Sequence, residues 1–175
     1  IEQTQVLSQS RKNRISILAI APLLHRMGEA FVPIVGGDKI GPRPVNWHID
    51  ILRKMGAEIQ EKEDGYHAFA SKGLQGALIE LPYPSVGATE TAILAGVLAK
   101  HRTVIRHAAV EPEIIELIKM LQKMGALIEF GANRAIFIDG VEKLHGVSHD
   151  ILPDRNEAVS FACLAVATGG RILVK

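Results

Sequence analysis

The residues best placed to do chemistry lie between Val35 and His48, in the run VGGDKIGPRPVNWH. Three glycines and two prolines in these fourteen residues exclude a helix interior or a central strand. Asp38 adds a carboxylate, and Lys39 and Arg43 add cations. A loop of fixed backbone shape with one acid and one placed arginine suits a small anionic ligand. A solvated, charged surface loop is the alternative, because a Gly-rich loop alone is a weak signal.

The elements that must hold this loop can be read from apolar spacing. Helices are predicted over Ser16–His25, Val45–Met55, Ser85–Lys100, Glu111–Met124 and Asn156–Ala167. Strands are predicted over Phe31–Val35, Glu58–Glu61, Tyr66–Ala70, Ala77–Leu81, Thr103–Arg106, Leu127–Phe130, Ala135–Ile138 and Ile172–Lys175. Ile1–Lys12 reads as the end of a strand and a loop.

LRKMGAEI (Leu52–Ile59) and LQKMGALI (Leu121–Ile128) match at six of eight positions, 69 residues apart. TVIR (Thr103–Arg106) and ILVK (Ile172–Lys175) share that spacing. The chain is therefore a repeat of helix, strand, helix and hairpin that stops within its third copy. That pattern predicts an α/β (α+β) architecture of subdomains packed around shared helices. The helix starts near Arg14, Ser85 and Asp154–Arg155 occupy equivalent places, where free N–H groups and partial positive charge suit phosphate or carboxylate. Ordinary capping by Ser85 and Asp154 is the alternative reading for each residue alone.

Composition narrows the function classes. A length of 175 residues with 47% hydrophobic content suits one globular domain or slightly more. A net charge of +1 and 5% aromatics argue against a nucleic-acid surface. No apolar run is long enough for a bilayer span, so no membrane partner is expected. The single Cys163 excludes an internal disulfide framework and fits a reducing cytoplasm. A chain starting at Ile1 reads as a piece of something longer.

Five motifs in order carry a family resemblance: GGDKIGPRPVNWHIDILRKMGAEI, PSVGATETAILAGVLA, AAVEPEIIELIKMLQKMGA, GVEKLHGVSH and LPDRNEA. Together they resemble UDP-N-acetylglucosamine enolpyruvyl transferase, of the EPSP synthase superfamily, over about Arg14–Lys175. The resemblance implies an inside-out α/β barrel of repeated βαβαββ subdomains with the active site between two domains. Residues 1–151 would then be part of one domain, with repeats at 14–82 and 83–151. Residues 152–175 would be the crossing segment and the start of the other domain.

The implied reaction transfers the enolpyruvyl group of phosphoenolpyruvate to the 3-hydroxyl of UDP-N-acetylglucosamine and releases phosphate. It is the first committed step of peptidoglycan synthesis, and so of cell wall biogenesis, cell shape and division. No cofactor or metal is implied, and the implied partners are the two substrates and the remainder of the same polypeptide.

Carried onto this sequence, the resemblance makes Asp38 the proton donor, at the position of the family's loop Cys. Arg43 would contact phosphoenolpyruvate, and Arg14 would reach either substrate. Pro44, Val45, Asn46 and Trp47 match the stretch that holds the nucleotide, where the family usually has Asp and Leu at the last two places. Ser85, Val86 and Gly87 match a second nucleotide-binding segment. Tyr83, assigned to the same segment, stands where many members have Lys, and Val110 where an Arg is common. Asp154 and Arg155 would lie near the cleft. The family's Lys-Asn pair and catalytic base fall outside these residues, so the 175-residue piece alone is expected to be inactive. A non-catalytic nucleotide-sugar-binding paralogue is the alternative, which Tyr83 and Val110 favour.

Other candidates are weaker. His145 and His149 are four apart, but Gly146-Val147-Ser148 between them is not helical, which argues against a metal site. Cys163 in FACLAVA reads as a core thiol. Glu111 and Glu113 suit a helix dipole without a catalytic role.

Overall fold

The computed structural model describes residues 12–37, 41 and 44–174. A 3-10 turn over Ile15–Ala19 runs into helix α1 (Ile20–Met27). It is followed by β1 (Glu29–Pro33), α2 (Asn46–Lys54), β2 (Glu58–Glu61), β3 (Gly65–Phe69) and β4 (Leu78–Glu80). The second copy comprises α3 (Val86–Gly96), β5 (Arg102–Arg106), α4 (Pro112–Lys123), β6 (Leu127–Phe130) and β7 (Ile136–Asp139), and α5 (Arg155–Thr168) ends the order. Of the predicted stretch Ile1–Lys12, only Lys12 lies within the described residues, in a turn.

The two copies agree down to their hydrogen bonds. Gly56 and Gly125 follow α2 and α4 at φ 92° and 100°, a conformation that favours glycine. Beside them Ala57 N–H donates to Leu52 O and Ala126 N–H to Leu121 O, each at 2.9 Å. Arg53 and Gln122 are equivalent but chemically different, yet both donate back to the next strand, to Ile59 O at 3.0 Å and Ile128 O at 2.8 Å. The shape of the repeat thus survives a change of side chain.

One sheet runs β1-β3-β2, all antiparallel, with Glu29 opposite Phe69 and Pro33 opposite Gly65. The other runs β4-β5-β7-β6, with β4 parallel to β5 and the remaining pairs antiparallel. β4 belongs to the first copy by sequence but pairs with the second. β1 starts two residues earlier than expected, and Pro33 is tolerated because β1 is an edge strand.

α3 is the shared helix. Most of it is buried, including Ala88, Thr89, Thr91, Ala92, Ile93, Ala95 and Gly96, and Glu90 is its one charged residue. Such a helix must be covered all round, and α1, α2, α4, β5 and β7 pack against it. The core continues through Ile20, Leu52, Met55, Ile105, Ile114 and Ile136.

The third copy departs from expectation. Ile172–Val174 form no strand and are exposed, while Lys175 lies outside the described residues. A strand needs a neighbour to take its N–H and C=O groups, and no described strand offers one there. α5 likewise buries none of its residues, and Cys163 is exposed rather than in a core. No helix among the described residues is long and apolar enough to cross a membrane.

Candidate functional site

The three helix starts do not converge equally. Arg14, at the head of the 3-10 turn, and Ser85 and Gly87, at the start of α3, line one cavity of about 340 Å³ with Pro44, Trp47 and His48 of the α2 start. The guanidinium of Arg14 reaches the Pro44 carbonyl at 3.5 Å. Asp38 and Arg43 lie outside the described residues.

Ser85 caps α3: its Oγ accepts from Ala88 N–H at 3.3 Å and its carbonyl from Thr89 N–H at 3.0 Å. Thr89, fully buried, donates to Ser85 O at 2.7 Å and accepts from Ala109 N–H at 2.9 Å. That pair of bonds pins the cavity wall to the segment leading into α4. Val86 is half-buried, Val45 is buried before α2, and Asn46 is exposed.

Trp47 and Tyr83 stand together at the surface, ring centroids 6.3 Å apart and planes 32° from parallel. Tyr83 is 62% exposed, so its ring is an open surface rather than part of the core. Trp47 also borders a neighbouring cavity of about 420 Å³ that includes Arg53 and Lys54.

Two titratable residues of the cavity, His48 and Glu90, received no role from the sequence. Burial, reinforced by the Arg14 charge, pushes the His48 pKa down to about 4. Burial, with a contribution from Glu113, raises that of Glu90. The signal available was helical spacing. Glu90 follows Gly87 by three residues within α3 and so shares a face with an assigned residue, whereas Pro44 precedes α2 and gives no such signal for His48.

Asp154 and Arg155 line a separate groove of about 490 Å³ with Glu113, Glu116, His149 and Leu152. Asp154 caps α5, its Oδ1 accepting from Asn156 N–H at 2.8 Å. Arg155 donates to Glu113 through Nε at 2.7 Å, which holds the Glu113 carboxyl below its ordinary range. His149 pairs with Glu116 at 2.7 Å, and no metal-binding cluster occurs among the described residues. Glu113 therefore has an ion-pairing task beyond the helix dipole.

The profile described as EPSP synthase (3-phosphoshikimate 1-carboxyvinyltransferase) matches residues 1–175. A relative in Protochlamydia amoebophila (strain UWE25), UDP-N-acetylglucosamine 1-carboxyvinyltransferase, is 48% identical over 95% of this chain and 37% of its own length. One of the same name in Chlamydia abortus (strain DSM 27085 / S26/3) is 50% identical over all of this chain and 40% of its own. The chain thus spans about two fifths of the length of these curated relatives. Among solved structures, the enolpyruvyl transferase NikO from Streptomyces tendae superposes with a TM-score of 0.74 at 23% identity, covering 90% of this chain and 37% of that one, a likeness of fold. With one antiparallel and one mixed sheet, a shared central helix and a profile matched from end to end, the chain belongs to the EPSP synthase (3-phosphoshikimate 1-carboxyvinyltransferase) family.

Proposed function

We propose that the polypeptide carrying this chain transfers the enolpyruvyl group of phosphoenolpyruvate to the 3-hydroxyl of UDP-N-acetylglucosamine, in the cytoplasm, as the first committed step of peptidoglycan synthesis. The observation that carries the reading is the similarity along the whole chain to relatives bearing that activity in their names. The cavity supports it, because Arg14 and the α3 start face one space beside Pro44 and Trp47.

In this reading the family's base, which falls outside these residues, takes the proton of the sugar 3-hydroxyl as its oxygen adds to C2 of phosphoenolpyruvate, while Asp38 protonates C3. The resulting tetrahedral adduct then loses a C3 proton and expels phosphate, leaving the enolpyruvyl ether. Arg14 and Arg43 hold phosphate and carboxylate, a task that planar guanidinium performs better than ammonium. Pro44, Val45, Asn46, Trp47, Tyr83, Ser85, Val86 and Gly87 line the path of the nucleotide sugar, and Asp154 and Arg155 border the cleft. To act as the acid, Asp38 must carry its proton near neutral pH, which requires that exclusion of water and the bound phosphate hold its carboxyl above the ordinary ~4. Residues 1–151 form part of one domain in this reading, and 152–175 lead into the other.

The second reading, a nucleotide-sugar binder without turnover, is favoured by Tyr83, whose ring pairs with Trp47 where the family resemblance implies a Lys. Phosphate release by the full-length polypeptide separates the two. Release that needs both phosphoenolpyruvate and UDP-N-acetylglucosamine, and that 3-phosphoshikimate does not support, is expected. Tight nucleotide-sugar binding without release would establish the binder, and release with 3-phosphoshikimate instead would overturn the substrate.

A further inference from the structure

His48 Nδ1 lies 2.7 Å from Thr91 Oγ1, across the contact between α2 and α3. Thr91 is only 1% exposed, so its hydroxyl proton needs an acceptor inside the protein. Thr89, Ser160 and Thr168 each give that proton to the carbonyl four residues back, at 2.7–2.8 Å. Thr91 makes no such bond, and among the described residues His48 is its one hydrogen-bond partner.

A neutral imidazole has a single N–H. Placed on Nδ1, it would donate to Thr91 and leave the Thr91 proton stranded in the core. Placed on Nε2, it lets the Thr91 O–H donate to Nδ1 and serves both groups. Nε2 then faces the cavity side. A Cβ on Gly87 would stand 3.3 Å from it, so this ring edge lies against the first turn of α3. Nε2 has no hydrogen-bond partner among the described residues and is not sealed from solvent.

We propose that Thr91 holds His48 as its Nε2–H tautomer, and that this N–H is a donor to the anionic group the cavity receives. Thr91 is thus a positioning residue acting through His48. The inference rests on the substrate reading given above and adds to it a residue pair and a proton position. The charged groups facing the ring are Arg14 from the head of the 3-10 turn and Glu90 from α3. The depressed pKa of His48 keeps the ring neutral at pH 7. It therefore acts through the dipole of its N–H, beside the full charge of Arg14. The other tautomer would turn a lone pair towards the anion.

Nitrogen NMR of the intact protein labelled at histidine tests the proton position directly, with His48 assigned by its absence in His48→Gln. A neutral ring protonated at Nε2 is expected at pH 7, retained in Thr91→Ser and lost to a mixed population in Thr91→Val. An Nδ1-protonated ring in the wild type would overturn the tautomer.

Calorimetric binding tests the donor, with inorganic pyrophosphate and UDP-N-acetylglucosamine as separate probes. His48→Gln, whose amide reaches the Nε2 position, should bind both within about threefold of wild type, while His48→Asn and His48→Phe should lose about tenfold or more. Equal affinities in all three variants would overturn the donor. Wild type binding pyrophosphate with this pattern but not the nucleotide sugar would overturn the substrate reading and leave the donor standing. Binding of neither probe would overturn both.

Discussion

At the scale of single residues, Asp38 and His48 were accessible to different degrees. The acid in the glycine-proline loop stands out by residue type, and its role comes from the family resemblance rather than from spacing. His48 closes the run read as best placed for chemistry but received no role there, and Thr91 was not singled out. Their significance lies in a hydrogen bond between helices, which no local pattern in either helix encodes.

Asp38 has a chemical consequence. A carboxylate near its ordinary ~4 is a poorer proton store than a thiol near ~8.5, and a weaker nucleophile towards an epoxide. In the intact enzyme, fosfomycin, which alkylates the family's Cys, should therefore not inactivate the wild type. Asp38→Cys should become sensitive, and the alkaline fall of kcat/KM should move to higher pH. Mass spectrometry showing fosfomycin attached to wild-type Asp38 would contradict this.

His48 also links stability to pH. Its folded pKa of about 4 lies below the ordinary 6.5, so between these values the unfolded chain binds the extra proton. Stability is complete above pH 6.5 and falls as pH drops through that window, by about 3 kcal/mol at most. Urea titrations at pH 7 and pH 4.5 should show a smaller acid loss in His48→Gln than in wild type. An equal loss would mean that other groups dominate acid unfolding.

At the scale of elements, the repeat was legible because its punctuation is strong. The pattern placed β2 and β6 at Glu58–Glu61 and Leu127–Phe130, where they stand in the structure. Their preceding helices end at a glycine, and their hairpins close on polar turns. β1 was displaced by two residues because its register is set by β3, not by its own apolar run.

The left-handed glycines give a paired test. A Cβ at Gly56 would meet nothing nearer than 3.8 Å, and at Gly125 nothing nearer than 3.4 Å, so strain rather than collision sets the cost. Gly56→Ala and Gly125→Ala should each destabilise by about 1 kcal/mol in urea unfolding. Thr89→Val leaves the Ala109 N–H without its acceptor and should cost about 1–3 kcal/mol. A neutral Thr89→Val would show that water or a backbone shift replaces that bond.

At the scale of the whole molecule, the contrast between α3 and α5 is instructive. Both are rich in small and apolar residues, so sequence alone predicts burial for each. α3 is wrapped by its neighbours, whereas Val159, Phe161, Leu164 and Val166 of α5 are exposed. Burial depends on what else is present to cover a face, and periodicity does not report that. The Arg155–Glu113 pair ties the start of α5 to α4, which is where the proposed domain crossing begins. The same incompleteness bears on activity: the 175-residue piece alone should release no phosphate from the two substrates, while the full-length polypeptide should.

The central claim is that this polypeptide protonates C3 of phosphoenolpyruvate from Asp38 during transfer to the nucleotide sugar. It is tested most directly by running the full-length reaction in deuterated water and reading the vinyl methylene of the product by mass spectrometry and proton NMR. Wild type should place deuterium there, because C3 passes through a transient methyl, and Asp38→Asn should abolish both incorporation and turnover. Product formed without deuterium, or undiminished turnover in Asp38→Asn, would contradict the account.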